Sequence, residues 1–294
     1  MNNNKSTIIS NKGNHYLLDN FIDSGRFSSV FKCYSSDDKN QESPLAIKIP
    51  NLDQMLNPKK VAKAIAREAH FLQKAEHDNV VKYVDHSSTI EGPYLVMEHV
   101  PQTMRGLVEE NAITQEVVID YLKQVPEILF HLRKAGIAHS DLKCSNLGYN
   151  DGTVKLLDFG LAVHFEHSFF RNVKEVPCYN SPELREHSMV TPSSDTYSAG
   201  RALEFMLTSR LERSPEDSLD NMELFYDIVL PDSFKKMFSL MVNEDFAVRP
   251  NPQKLKEIID VVIEDLNKDI YFTTEAFTCF EKGELSQFES AFMN

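Results

Sequence analysis

Two short polar clusters carry the side chains in this 294-residue chain best suited to chemistry. The first is His139-Ser140-Asp141-Leu142-Lys143 with Asn146, and the second is Asp158-Phe159-Gly160. Between them Asn150-Asp151-Gly152 is a strong turn signal, flanked by apolar Leu147 and by Val154, Leu156 and Leu157. A β-hairpin is expected there. It would set Asp141, Lys143, Asn146 and Asp158 around one small volume: two carboxylates, one amide and one ammonium. Phosphoryl transfer uses such a set. Carboxylate and amide oxygens hold a divalent cation, one carboxylate accepts the proton of an incoming hydroxyl, and an ammonium offsets charge on the moving group.

The same residues resemble the catalytic loop and metal-binding loop of the eukaryotic-type protein kinases, which read H-R-D-L-K-x-x-N and D-F-G. Asn146 lies five residues after Asp141, and Asp158 twelve after Asn146. The resemblance implies an α+β, bilobal protein kinase fold over residues 16–266. A small antiparallel lobe with one helix would span 16–98, and a mainly helical lobe 101–266. It further implies that Asp141 positions the hydroxyl and accepts its proton, and that Lys143 stabilises the γ-phosphoryl group. Asn146 and Asp158 would bind Mg2+, with Mn2+ as the other ion this oxygen set accepts. ATP would be the phosphoryl donor.

The elements that must position these groups come mostly earlier in the chain. Residues 16–50 read as strands. Ile22, Gly25, Phe27 and Val30 stand where the family has its glycine-rich loop, with Asp23 and Ser28 in place of two of its glycines. Pro44–Ile49 is an apolar strand holding one lysine, and it resembles V-A-I-K. Ala46 would then line the base pocket, and Lys48 would reach the α/β-phosphates. Residues 58–75 have helical spacing, with Pro58 suited to the first turn. Glu68 on that helix matches the family glutamate that pairs with the strand lysine. In the strand 93–101, Met97, Glu98 and Val100 resemble the interlobe hinge facing adenine, and Leu147 is a further base-pocket candidate. A long helix over 114–135, closed by Gly136, delivers the chain to His139, which is expected to be structural.

Downstream, Ser181-Pro182-Glu183 resembles A-P-E, and Asp195–Gly200 resembles D-x-W-S-x-G with Tyr197 for tryptophan. Arg249 falls where the family arginine pairs with Glu183, 66 residues away. Residues 252–268 read as a final helix. Residues 1–15 are polar and expected to be disordered. The segment 267–294 carries six aromatics, Tyr271, Phe272, Phe277, Phe280, Phe288 and Phe292, and is expected to pack back on the domain.

Four departures bear on activity. Ser140 replaces the arginine that gathers an activation-segment phosphate, and Ser168 is the one hydroxyl residue between Gly160 and Val176. Activity without activation-segment phosphorylation follows as an expectation. Val176 replaces a threonine that steadies Asp141 and Lys143. Gly148 replaces the bulky residue beneath adenine, and Asp23 adds negative charge near the phosphates. Both point to modest ATP affinity. Lys143 favours serine/threonine over tyrosine hydroxyls. Two other readings stay open: a pseudokinase acting as a nucleotide-binding or scaffold module, and a small-molecule phosphotransferase of the kinase-like superfamily.

Composition narrows the partners. The net charge of −13 argues against nucleic acid and is compatible with protein substrates bearing basic segments. No apolar run is long enough for a membrane span. The four cysteines, 33, 144, 178 and 279, are scattered without a CxxC pair, and no signal peptide is evident, so a cytoplasmic protein with free thiols is expected. Oligomeric state is not legible at this level.

Overall fold

A computed structural model describes residues 7–9, 13–25, 28–51, 57–89, 92–165, 178–211, 215–226 and 228–272. The chain divides into two compact units. Met1–Val100 with Asp158–Gly160 form the first, and Pro101–Leu157 with Leu161–Asn294 the second.

Among the described residues the first unit is an antiparallel sheet with one helix. Its strands are β1 (Thr7–Ile9), β2 (His15–Ser24), β3 (Ser28–Ser35), β4 (Leu45–Pro50), β5 (Tyr83–Ser87) and β6 (Tyr94–Glu98), in the order β1-β2-β3-β4-β6-β5. Within the stretch 1–15, expected to lack order, Thr7–Ile9 instead pairs with His15–Leu17. The β-branched Thr-Ile-Ile run supplies strand propensity that the polar flanks masked.

Side chains on strands alternate faces, and the register here sorts them cleanly. Cys33, Ile47 and Val96 bury on one face with Tyr16 and Tyr94. On the other face Val30 stands opposite Lys48, Ala46 opposite Met97, and Lys48 opposite Leu95. The helix α1 (Pro58–Lys74) starts where Asn57 accepts the Lys60 amide and Pro58 fills the first turn. Its buried stripe is Val61, Ile65, Glu68, Ala69 and Leu72. Spacings of three and four place one carboxylate on an otherwise apolar face.

The second unit opens with β7 (Gln102–Thr103), α2 (Met104–Glu109) and α3 (Gln115–Lys134). Thr114 caps α3, and Gly136, at φ +70°, lets the chain leave it. Then come β8 (Ile137–Ala138), β9 (Leu147–Asn150), β10 (Thr153–Leu156) and β11 (Val163–His164). The expected hairpin is β9–β10, with Asn150 opposite Thr153. Asp151 and Gly152 both have positive φ, 46° and 78°, as the two-residue turn that matches strand twist requires.

Five helices follow among the described residues: α4 (Pro182–His187), α5 (Ser194–Thr208), α6 (Pro215–Tyr226), α7 (Asp232–Met241) and α8 (Pro252–Leu266). Among the described residues no helix is long and apolar enough to cross a membrane. Cys33, Cys144 and Cys178 are free thiols.

Beyond α8 the chain turns back onto the unit. The Gln115 amide donates to the Leu266 and Asp269 carbonyls at 2.7 and 2.9 Å and accepts from the Tyr271 amide at 2.7 Å. Phe272 is buried against the rings of Tyr226 and Phe234. The remaining tail aromatics, Phe277, Phe280, Phe288 and Phe292, lie outside the described residues.

Candidate active site

The catalytic candidates fall into two clusters, one in each unit. In the first unit Lys48 is central. Its Nζ donates to Glu68 Oε1 at 2.8 Å and to Asp158 Oδ1 at 2.9 Å. Both acids are distant in sequence, so β4, α1 and the Asp158 loop must all be in place before the cation is neutralised. Burial would lower the Lys48 pKa, but the two carboxylates outweigh it and hold the ammonium above its ordinary range. Glu68 behaves in the opposite way. Burial pushes its carboxyl up to about 7, beyond what Lys48 offsets, and Asp158 adds to the rise.

Gly160 belongs to the same cluster. Its amide donates to Asp158 Oδ1 at 2.9 Å. A Cβ added there would sit 3.0 Å from that oxygen and 3.4 Å from Glu68 Oε2. A side chain at this position would crowd the Asp158 carboxylate, which would have to give by a few tenths of an ångström. Asp158 itself holds φ 50°, a left-handed conformation uncommon outside glycine.

The expected base-pocket residues of this unit lie on or beside the sheet face that carries Lys48. Val30 is half-buried, Ala46 and Met97 are buried, and Ile22 is exposed. Gly25 closes its turn by donating to the Ser28 carbonyl at 2.9 Å. The Asp23 carboxylate accepts the Ser24 amide at 2.8 Å. Glu98 and Val100 are half-buried, and the Glu98 amide is committed to the Lys82 carbonyl at 2.9 Å. Phe27 lies outside the described residues.

In the second unit Asp141, Lys143 and Asn146 come together. The Asn146 amide nitrogen donates to both the Asp141 carbonyl and Asp141 Oδ2, each at 2.8 Å. Those bonds fix the amide's orientation and leave Oδ1 as its ligand atom. Lys143 Nζ lies 3.2 Å from Asp141 Oδ1. The Leu157 amide donates to the Asn146 carbonyl at 2.8 Å, which ties the end of the β9–β10 hairpin to the residue before it. Leu147, expected near the base, is fully buried. Gly148 lies within β9, opposite Lys155 and Thr103.

Asp195 has a role the sequence did not reveal. Its buried carboxylate accepts the His139 amide at 2.7 Å and the Ser140 amide at 2.9 Å. Ser140 is thereby held at φ 61° immediately before Asp141. The His139 ring bonds the Leu157 carbonyl through Nε2 at 2.8 Å, so this histidine is structural. The motif around Asp195 was visible; that it anchors backbone 55 residues away was not. Burial raises the Asp195 carboxyl even though both amides favour its ionised form.

Arg249 makes the expected pair with Glu183, in bidentate geometry at 2.8 and 2.9 Å. Ser194 and Thr191 donate to the same carboxylate. The Arg249 guanidinium lies 4.9 Å over the Tyr197 ring, so the tyrosine supplies the aromatic face. Burial would raise the Glu183 carboxyl, but Arg249 and the hydroxyl donors hold it below its ordinary range. Ser168 and Val176 lie outside the described residues.

Comparison with known proteins places the chain in a family. The protein kinase domain family matches residues 16–271. The hormonally up-regulated neu tumor-associated kinase of Mus musculus is 29% identical over 219 residues, which cover 72% of this chain and 28% of that protein. MAP3K epsilon protein kinase 2 of Arabidopsis thaliana is 28% identical over 268 residues, covering 85% of this chain and 19% of that protein. The chain thus spans less than a third of either relative's length.

Proposed function

Because the chain belongs to the protein kinase family, we propose that it transfers the γ-phosphoryl group of MgATP to serine or threonine hydroxyls of protein substrates. The observation that carries this reading is the fixed orientation of Asp141. Asn146 holds one carboxylate oxygen and Lys143 approaches the other. A carboxylate so placed can accept a hydroxyl proton without rotating away.

The residues present fit the group that family membership implies. Protein kinases use ATP and a divalent cation. Lys48 spends two of its three N–H donors on Glu68 and Asp158, which leaves a third for a phosphate oxygen. Asn146 keeps Oδ1 as a ligand atom, and Asp158 supplies a carboxylate. Among the described residues no group of three His, Cys, Asp or Glu side chains forms a metal site. Oxygen donors of this kind, completed by phosphate oxygens and water, suit magnesium. When bound, the ion neutralises charge developing on the phosphate oxygens.

The roles of this chain's own residues follow. Asp141 orients the attacking hydroxyl and takes its proton as the new O–P bond forms. The O–P bond to the leaving nucleotide breaks, and that oxygen keeps the electron pair. Lys143 stabilises the charge spread over the moving phosphoryl group. Its position two residues after Asp141 supports serine and threonine as acceptors. Ser140 supports activity independent of activation-segment phosphorylation, since no cation stands there to receive a phosphate.

The test is transfer of radiolabelled γ-phosphate from MgATP to the protein itself and to basic and acidic generic substrates, with Asp141→Asn as control. Label on serine or threonine, lost in the control, is the expected result. Label absent from every substrate while nucleotide still raises the melting temperature would replace the enzyme reading with a nucleotide-binding module.

A further inference from the structure

The second unit has a half-open surface depression of about 230 Å3 between α4 and the turn after α7. Pro182, Met189 and Phe246 form its apolar walls. Phe246 is 40% exposed, unusual for a phenylalanine in a turn that is otherwise polar at its start. Glu186, Glu244 and Asp245 line the same depression and are exposed. None of these three forms an ion pair among the described residues. The fourth carboxylate, Glu183, is already neutralised by Arg249. With His187 as the other polar side chain in its lining, the depression presents three carboxylates outside any ion pair among the described residues, around an aromatic and aliphatic surface.

Its size and lining narrow the occupant. Drug-sized ligand sites start at roughly 300 Å3, so this space suits one long side chain with a neighbour. A lysine or arginine fits best: its hydrocarbon stem lies along apolar walls while its charge meets carboxylates. An arginine can also stack on Phe246. The chain's net charge of −13 attracts cationic partners generally, and this depression supplies a specific seat.

We propose that the depression docks a basic segment of a protein partner, with one arginine or lysine between Glu186, Glu244 and Asp245 and an adjacent apolar residue on Phe246. The binding needs no nucleotide and no phosphoryl transfer, so it stands or falls separately from the catalytic reading.

The probe is a fluorescein-labelled peptide, Gly-Arg-Leu-Arg-Arg-Leu-Gly, titrated with the full chain and followed by anisotropy. A counterpart with glutamate for each arginine serves as the charge control. The variant Glu186→Gln/Glu244→Gln/Asp245→Asn removes three charges; an asparagine at 245 can still accept the Ala247 amide that Asp245 binds at 2.9 Å. A second variant, Glu257→Gln/Asp260→Asn/Glu264→Gln on α8, removes the same charge elsewhere. Affinity should fall about tenfold or more in the first and stay within about twofold in the second. Phe246→Ala should weaken binding about threefold or more while leaving the fold intact. Equal loss in both triple variants would show diffuse attraction and overturn the proposal. So would absence of binding by the unaltered chain, or equal binding of the glutamate peptide.

Discussion

Lys48 and Asp158, 110 residues apart, meet through a 2.9 Å bond in the first unit, and Glu68 shares the same ammonium. One cation thus serves two carboxylates. Removing it leaves Glu68 buried with no opposite charge. Lys48→Met should therefore lower stability by about 3 kcal/mol and phosphoryl transfer by at least about a hundredfold. Thermal unfolding and single-turnover rates check the two effects. An unchanged unfolding midpoint would show that the triad does not hold the first unit together.

The same triad predicts a pH dependence. Burial pushes Glu68 up to about 7 from its ordinary 4.5. The folded state then favours the protonated acid. That contribution is complete below about 4.5 and is lost as pH rises through about 7. Glu68→Gln keeps an acceptor for Lys48 but has no proton to lose. Measured without divalent cations, the unaltered protein should lose stability relative to this variant between those limits. A constant difference across the range would contradict the shift.

Arg249 and Glu183 are both almost fully enclosed, with side-chain exposures of 0% and 3%. Arg249→Ala strands a carboxylate that also accepts from Thr191 and Ser194. Destabilisation of about 3–5 kcal/mol is expected. Arg249→Lys keeps the charge but cannot reproduce two parallel bonds or the stacking on Tyr197, so it should fall between. Denaturant midpoints would rank the three proteins, and equal midpoints for lysine and arginine would reject the bidentate argument.

Ser140 is buried and held by Asp195 through its backbone. No arginine is present there to collect a phosphate. Ser168→Ala, and phosphatase treatment of the unaltered chain, should each leave transfer within about twofold of the starting rate, because no charge-assisted contact is lost. Abolished activity in either case would mean that another cation receives an activation-segment phosphate.

Phe272 sits against Tyr226 and Phe234 with 1% exposure. Phe272→Ala should cost about 3–4 kcal/mol through the cavity it leaves. Gln115→Ala breaks three bonds to the same segment and should act in the same direction. Chemical denaturation of both variants tests whether residues 267–272 are part of the folded unit; no change in either would show that they are not.

Local patterns in the sequence determined much of this protein. Asn150-Asp151-Gly152 dictates its own turn, because two successive positive-φ residues admit few side chains. Pro58 and Thr114 set helix starts through local hydrogen bonding, and the spacing around Glu68 set the buried face of α1. Motif spacing singled out Asp141, Lys143, Asn146 and Asp158 as candidates. Tertiary structure decided what no local pattern encodes. It placed Asp158–Gly160 with the first unit rather than with the hairpin that precedes it. It made Asp195 the anchor of the His139 and Ser140 amides, and it brought the Asp158 and Glu68 carboxylates close to the Gly160 Cα. It buried Leu147 completely. Burial and long-range pairing depend on which segments fold against one another, and a one-dimensional pattern carries that information only where both partners belong to the same element.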